Sequence, residues 1–380
     1  MHKAGIFGSL ALIALAACEP NRSVTEPQPS IQAAASAQDA EDVGGPRAVY
    51  TLTNQVAGNA VAVFARAADG TLTAAGTFAT GGTGTGAGLG SQGAVAVSND
   101  GRLVFAVNAA SNDVSVFRVA SQGLSLLSRT PSGGTLPISV TVSRNLVYVL
   151  NAGGAGNISG FTIDAAGVLA PIAGSTRALS STTAGPAQVA FSADGRQLIV
   201  TEKNTSLLDV YPVEKNGAAG ERTSFASAGG TPFGFAVGSH DLVFVSEAAA
   251  PGSASSYTLG KGGSLRVVNG AVLTHQGAPC WAVVTRDGRF GFTGNGAGSV
   301  SGFRIAPDGS ISLRDANGAT AVISGGINDI ALSGNSRYLY ALGTGSQQAI
   351  YAFRIQHDGS LAPLGQVGGL PAGTRGLAAF

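Results

Sequence analysis

The fold class this sequence predicts is an all-β ring, a seven-bladed β-propeller of four-stranded antiparallel blades. Three observations predict it. An aromatic residue recurs at Phe64, Phe117, Phe161, Tyr211, Tyr257, Phe303 and Phe353, spaced 44 to 53 residues apart. Asp-Gly-Arg recurs upstream of it at 100–102, 194–196 and 287–289. The first unit also lacks its first strand, while the chain ends in a segment that reads as one. A fixed period of this length, filled with short alternating runs, is the signature of stacked β units sharing one core.

The clearest unit is 277–315. Ala282–Thr285 alternates and runs into Asp287-Gly288, Arg289–Gly294 follows, Val300–Ile305 carries Phe303, and Asp308-Gly309 turns the chain into Ile311–Leu313. Strand-length runs joined by Asp-Gly are a strong signal for antiparallel pairing. Other units repeat it imperfectly: Leu72, Leu124, Leu169, Leu265, Ile311 and Leu361 mark fourth strands, and the fourth unit breaks this pattern at 216–222. Weaker versions of the first turn appear at Arg144-Asn145, His240-Asp241 and Asn335-Ser336-Arg337. The runs alternate and are rich in Val, Phe and Tyr, which argues against helical solenoids. Ala48–Asn54 aligns with a second strand, so the C-terminal Gly376–Phe380 is expected to supply the innermost strand of blade one and close the ring.

Of 380 residues, 44% are hydrophobic and only 11% charged; 57 are glycine without a Gly-X-Y period, which excludes collagen and fits turn-dense β structure. Residues 1–17 carry a basic start and an apolar run from Ile6 to Ala17, too short to span a bilayer as a mature helix and suited to a secretory signal. Leu15-Ala16-Ala17-Cys18 resembles the lipobox of bacterial lipoproteins, which implies acylation of Cys18 and a membrane held through that anchor. Residues 18–45, with Pro20, Pro27 and Pro29, an alanine run and no aromatic, read as a disordered tether, leaving 46–380 as the propeller. The expected location is the bacterial cell envelope, facing periplasm or exterior. Without its first 17 residues the chain has 21 basic and 21 acidic residues, no electrostatic footprint for nucleic acid. The two cysteines, Cys18 and Cys280, form no disulfide framework.

Several segments carry a family resemblance: Gly185-Pro186 with Phe191-Ser192-Ala193-Asp194-Gly195-Arg196, Gly277-Ala278-Pro279-Cys280-Trp281 with Arg286-Asp287-Gly288-Arg289, Phe303-Arg304-Ile305 with Asp308-Gly309-Ser310, and Gly369-Leu370-Pro371-Ala372-Gly373. Through them the chain resembles the seven-bladed lactonase family, which includes 6-phosphogluconolactonase-type and carboxymuconate-cyclising enzymes. The resemblance implies the propeller and a lactone-hydrolysing activity. Family enzymes often carry a Pro-His-x-His-like element before a first strand; Pro186-Ala187-Gln188-Val189 stands there in this chain.

Strand direction places candidate residues on one face, the top, where second strands end and first strands begin. The second-strand ends are Asn54, Asn108, Asn151, Glu202, Glu247, Asn295 and Gly343. Asparagine at such a point also starts a turn through its side chain, whereas glutamate is favoured neither in strands nor in turns. Gln92, Ser139, Gln188, Cys280, Trp281, Asn328, Asp329 and Arg375 precede or open first strands and are expected around the top of the central channel, with Lys203 and His275 nearby. Trp281 serves equally for packing between blades or for stacking on a ligand. His240 and His357 fall in bottom turns, and no histidine pair has zinc-ligand spacing.

Two functions compete. One is a lipid-anchored module binding an unknown small molecule or protein through its top face. The other is a lactone hydrolase, with Glu202 or Glu247 activating water and Arg375 or Lys203 stabilising the oxyanion. A variant of the second places Ca²⁺ between Glu202, Glu247 and asparagine oxygens, since oxygen ligands suit a hard cation.

Overall fold

A computed structural model describes residues 47–344 and 348–380. The expected signal (1–17), the lipidated Cys18 and the tether (18–45) lie outside the described residues. Within them the chain forms seven separate antiparallel sheets and no helix. Each sheet is one blade, ordered from inner to outer strand along the chain, except blade one. There the order is Arg375–Ala379, Ala48–Leu52, Ala60–Arg66 and Leu72–Ala79.

The expected closure therefore holds. Val49 pairs with Ala379, Tyr50 with Ala378 and Thr51 with Leu377, and Ala48 and Phe380 exchange backbone hydrogen bonds of 2.9 and 3.3 Å. The C-terminal strand occupies a sheet edge that would otherwise face the ring axis unpaired.

The 277–315 unit folds as blade six, with strands Pro279–Val284, Phe290–Asn295, Ser299–Ile305 and Ile311–Leu313. The Asp287 carboxylate accepts bonds from the Arg289 amide at 3.1 Å and from the Thr285 hydroxyl at 2.6 Å, while Gly288 takes φ +69°. That is why Asp-Gly recurs: the acid closes the turn, and only glycine adopts the left-handed position without strain. The outer strand of blades three and six is split, Leu169–Pro171 with Arg177–Ala178 and Ile311–Leu313 with Ala321–Val322. In blade four the outer strand is delayed to Thr223–Ala226, beyond the break at 216–222.

The core lies between neighbouring blades. Second strands supply most of it; Val104–Val107, Val147–Leu150 and Leu198–Val200 are buried throughout, because a central strand packs on both faces. In blades three to six the inner strand begins with Pro137, Pro186, Pro232 or Pro279. The preceding Leu136, Gly185, Thr231 and Ala278 have φ between 52° and 58°. Their carbonyls accept bonds of 2.7–3.0 Å from the amides of Ala152, Lys203, Ala248 and Gly296, just past the second-strand ends. A bulge follows in each, as in the register shifts between Pro186 and Gln188 and between Pro279 and Trp281, and it turns the next side chains toward the axis.

Deleting residues 377–380 should remove the buried Leu377, unpair Tyr50 and Thr51, and uncover Gly101, which lies under the Phe380 ring. Losing buried apolar side chains of this size costs on the order of 2–5 kcal/mol. The truncated chain should melt at least several degrees lower in calorimetry; an unchanged melting temperature would contradict the closure.

Candidate functional site

The polar ring at the second-strand ends is present, but it is an interior structure. Asn54, Asn108, Asn151, Glu202, Glu247 and Asn295 are all at most 1% exposed. Each holds the chain crossing into its own blade or the strand beside it. Glu247 accepts hydrogen bonds from the Gly229 amide at 2.7 Å and from Ser227 at 3.1 Å on the crossover. It also accepts from Ser253 at 2.5 Å and Ser255 at 2.6 Å on the third strand. Glu202 accepts from the Ser180 amide at 2.8 Å, from the Ser180 hydroxyl, and from Thr205 at 2.6 Å. Asn54 accepts from the Thr85 amide at 3.0 Å and donates to the Ala87 and Gly373 carbonyls at 2.8 and 3.2 Å. Asn151 donates to Ser132 and Asn157 at 3.2 and 2.8 Å, and Asn295 to Ser299 and Ser301, both at 2.9 Å. Asn108 donates to Asp113 at 2.6 Å and Ser115 at 2.8 Å. In blade seven Gly343 has no side chain, and the Tyr351 ring and Ile323 fill its place.

Glu202, Glu247 and the asparagines thus stand at the second-strand ends as expected, with their polar atoms bonded inside the fold. Crossovers and third strands would bury unpaired polar groups, and in six of the seven blades one side chain at the second-strand end pairs with them. Glutamate suits the longer reach to serines on two segments. Glu202 and Glu247 share no partner, so the structure does not bring them together around a cation. No cluster of three metal-ligating side chains occurs among the described residues.

Blade four adds a feature not visible in the sequence. Asp209, fully buried on the third strand, neighbours Glu202 and lies 3.5 Å from Arg222. Ser224 donates to it at 2.6 Å. Burial, then the neighbouring Glu202, pushes the Asp209 carboxyl up to about 7, while the donors around Glu202 hold that group low. Asp209 is thus the acid of the two that takes up a proton first.

The residues at the starts of the inner strands do converge, and they bond from blade to blade. Gln92 of blade two makes paired bonds with blade six, accepting from the Ala282 amide and donating to its carbonyl, both at 2.9 Å. Gln188 does the same with Phe235 of blade five, at 2.7 and 3.0 Å. Ser139 accepts from the Val189 amide at 3.2 Å, and Asp329 from those of Ile330 and Leu377 at 2.8 and 2.9 Å. Burial raises the Asp329 carboxyl well above its ordinary range. Gly234 has no side chain because a Cβ there would lie 2.0 Å from the Gln92 oxygen. Trp281, 8% exposed, packs edge-on against Phe233 at 5.7 Å and donates to the Ser91 carbonyl at 3.1 Å. Its role is packing. The Cys280 thiol beside it is pushed up to about 11 by burial, the state of an inert cysteine.

Beside these residues runs the strap 88–92, Gly-Leu-Gly-Ser-Gln, linking blades one and two. Lys203 donates to the Gly90 and Pro186 carbonyls at 2.6 and 2.7 Å and stands 5.0 Å above the Phe233 ring. Burial pushes its ammonium down to about 8. Arg375 flanks the strap at Gly88, donates to the Thr374 carbonyl at 2.7 Å, and is likewise lowered by burial. Neither cation has a carboxylate partner among the described residues. Of the expected set, Gln188, Lys203, Trp281 and Arg375 thus join Gln92 at the axis or strap. Asn328 sits at the bulge of blade seven, its amide nitrogen buried without a partner. His275 is exposed before blade six and takes part in none of these bonds.

The family model described as "Lactonase, 7-bladed beta-propeller" matches residues 47–178, which are blades one to three. Three solved structures share the fold. A protein from Bacteroides fragilis provisionally assigned as a 6-phosphogluconolactonase has TM-score 0.71 and 17% identity, covering 88% of this chain and 98% of its own. A protein from Lactobacillus plantarum has TM-score 0.71 and 17% identity, with 88% and 99% coverage. The periplasmic gluconolactonase of Pseudomonas aeruginosa has TM-score 0.70 and 16% identity, with 87% and 99% coverage. No curated protein matches the chain.

Two substitutions test the buried carboxylates. Glu247→Leu should strand the Gly229 amide and three serine hydroxyls, lowering stability by about 3 kcal/mol or more in urea titrations, on the scale of a broken buried charge network. An unperturbed midpoint would show that the network contributes nothing. Asp209 binds its proton more tightly folded than unfolded, so its contribution to stability declines as pH rises from about 4 to about 7. Asp209→Asn keeps a donor for Glu202 and removes that decline. The variant should gain several degrees in melting temperature over the wild type at pH 8 and little at pH 4; equal gains at both would refute the raised Asp209 carboxyl.

Proposed function

We propose that this chain is a lactone hydrolase whose substrate binds at the top of the ring, beside the strap 88–92, between Lys203 and Arg375. The observation that carries the reading is the pair of half-buried cations on that strap, each bonded only to backbone carbonyls. A buried cation without a counter-ion favours an anionic or charge-developing group nearby. A lactone is already an activated ester, and water opens its ring without a catalyst. An enzyme gains most by stabilising the oxyanion that forms at the carbonyl, and fixed positive charge in a water-poor site does this well. Lys203 and Arg375 supply such charge, and no strongly basic side chain is needed to begin the reaction.

The lactonase match over blades one to three and the gluconolactonase fold support this choice of chemistry over a pure binding module. The lipobox-like Leu15–Cys18 supports placement in a bacterial envelope, held by an acylated Cys18, with the top face open to lactones outside the cytoplasm.

Hydrolysis of glucono-1,5-lactone followed in a pH-stat tests the reading. The wild type should exceed the buffer rate, with kcat/KM falling as pH rises through about 8 and Lys203 loses its charge. Lys203→Met and Arg375→Met should each lower kcat/KM by tenfold or more, the scale of a charged hydrogen bond of about 1.5–3 kcal/mol, and Lys203→Met should flatten that limb. A wild type no faster than buffer, while still binding the lactone at this face, would return the protein to the class of binding modules.

A further inference from the structure

The face opposite the strap carries a second, unassigned cavity. On that face the turn between third and fourth strands of each blade rests on the preceding blade. Gly70 of blade one lies under the Tyr338 ring of blade seven, and Gly359 of blade seven under the Phe290 ring of blade six. Between blades four and five, Gln197 seals the joint by donating to the Gly260 and Lys261 carbonyls at 3.0 and 3.1 Å. Between blades five and six the same position holds Leu242. Its methyl lies 3.5 Å from the Cβ position of Gly309 but offers no hydrogen bond to the turn, and a cleft of about 540 Å³ opens beside it. That volume falls within the range of small-molecule sites, roughly 300–1,000 Å³.

The rim of this cleft departs from the chain's own repeat. Blades two, four and six make their first turn with Asp-Gly-Arg. Blade five makes it with His240-Asp241, at φ 58° and 60°, the only consecutive left-handed non-glycine pair among the described residues. Strain of this kind persists where the side chains it presents are worth their cost. His240, Ser239 and Thr258 line the cleft, are exposed, and have no side-chain hydrogen bond among the described residues. Asp308 faces them, with one carboxylate oxygen taken by Ser310 and the other free. The charge of Arg289 is already engaged, by Asp287 at 3.9 Å and the His357 carbonyl at 3.1 Å. Leu242, Ile305 and Pro307 form an apolar wall.

We infer that the cleft between blades five and six is a binding site for a neutral saccharide unit, separate from the top-face site. Hydroxyls that both donate and accept match the mixed imidazole, hydroxyl and carboxylate rim, and the C–H face of a sugar ring matches the apolar wall. The rim has no spare cation for an anionic ligand.

Saturation-transfer NMR with cellobiose and with chitobiose on the whole chain tests this inference. At least one disaccharide should bind the wild type at millimolar concentration. Leu242→Phe, which copies the aromatic seal of blade six, should weaken that binding tenfold or more. His240→Gly should weaken it as well, while relieving the turn and raising the melting temperature. Absence of transfer from both sugars to the wild type, or undiminished transfer to both variants, would overturn the assignment.

Discussion

Side chains that join neighbouring inner strands fix how the blades meet around the axis, inside the apolar core packed between blades. The seven sheets share no ladder with one another, so backbone pairing within blades cannot hold the blades together. Ser139, Gln188 and Asp329 each accept a backbone amide of the next blade, and Gln92 reaches non-neighbouring blade six. The glutamines imitate a strand, offering carbonyl and amide together to one residue's donor and acceptor. A direct bond of this kind, shielded from water, is costly to lose because both partners would remain buried and unpaired. The closing strand joins the same system, since Leu377 is the residue whose amide Asp329 holds.

That arrangement ties the ring together across its axis. Bulges after the inner-strand prolines turn polar and aromatic side chains inward, where they bond from blade to blade. Trp281 and Phe233 pack against each other, and the strap is tied to Trp281 through Ser91. A ligand on this face meets the strap and its two cations before anything deeper. The charged groups on this face outside the crossovers are therefore Lys203 and Arg375, on which the proposed chemistry rests, with the carboxylates beneath committed to the crossovers.

The sequence made the architecture legible because its signals are local. Asp-Gly turns, the recurring aromatic and the orphan C-terminal strand each state a backbone need that nothing distant can override. The site was only half legible. Counting strands put Glu202, Glu247 and the asparagines at the correct ends on the correct face, yet direction along a strand does not say whether a side chain faces the axis or the neighbouring crossover. The serines at 227, 253 and 255 were the missing signal: hydroxyls clustered around a glutamate in the repeat foretell a buried, saturated carboxylate. Asp209 was hidden for a similar reason. Its partnership with Glu202 spans two strands, and only the register of Val200 on Asp209 brings them to one face.

Repetition also supplies a control that a single domain lacks. Each blade solves the same packing problem, so a blade that solves it worse than its neighbours marks a place where something other than packing is being served. Blade five accepts two left-handed non-glycine residues in a turn that blades two, four and six make with Asp-Gly. The leucine beside it is shared with blades two and three, which carry Leu103 and Leu146 at the same strand start. The turn is therefore the departure, and it sets an imidazole on the edge of the cleft.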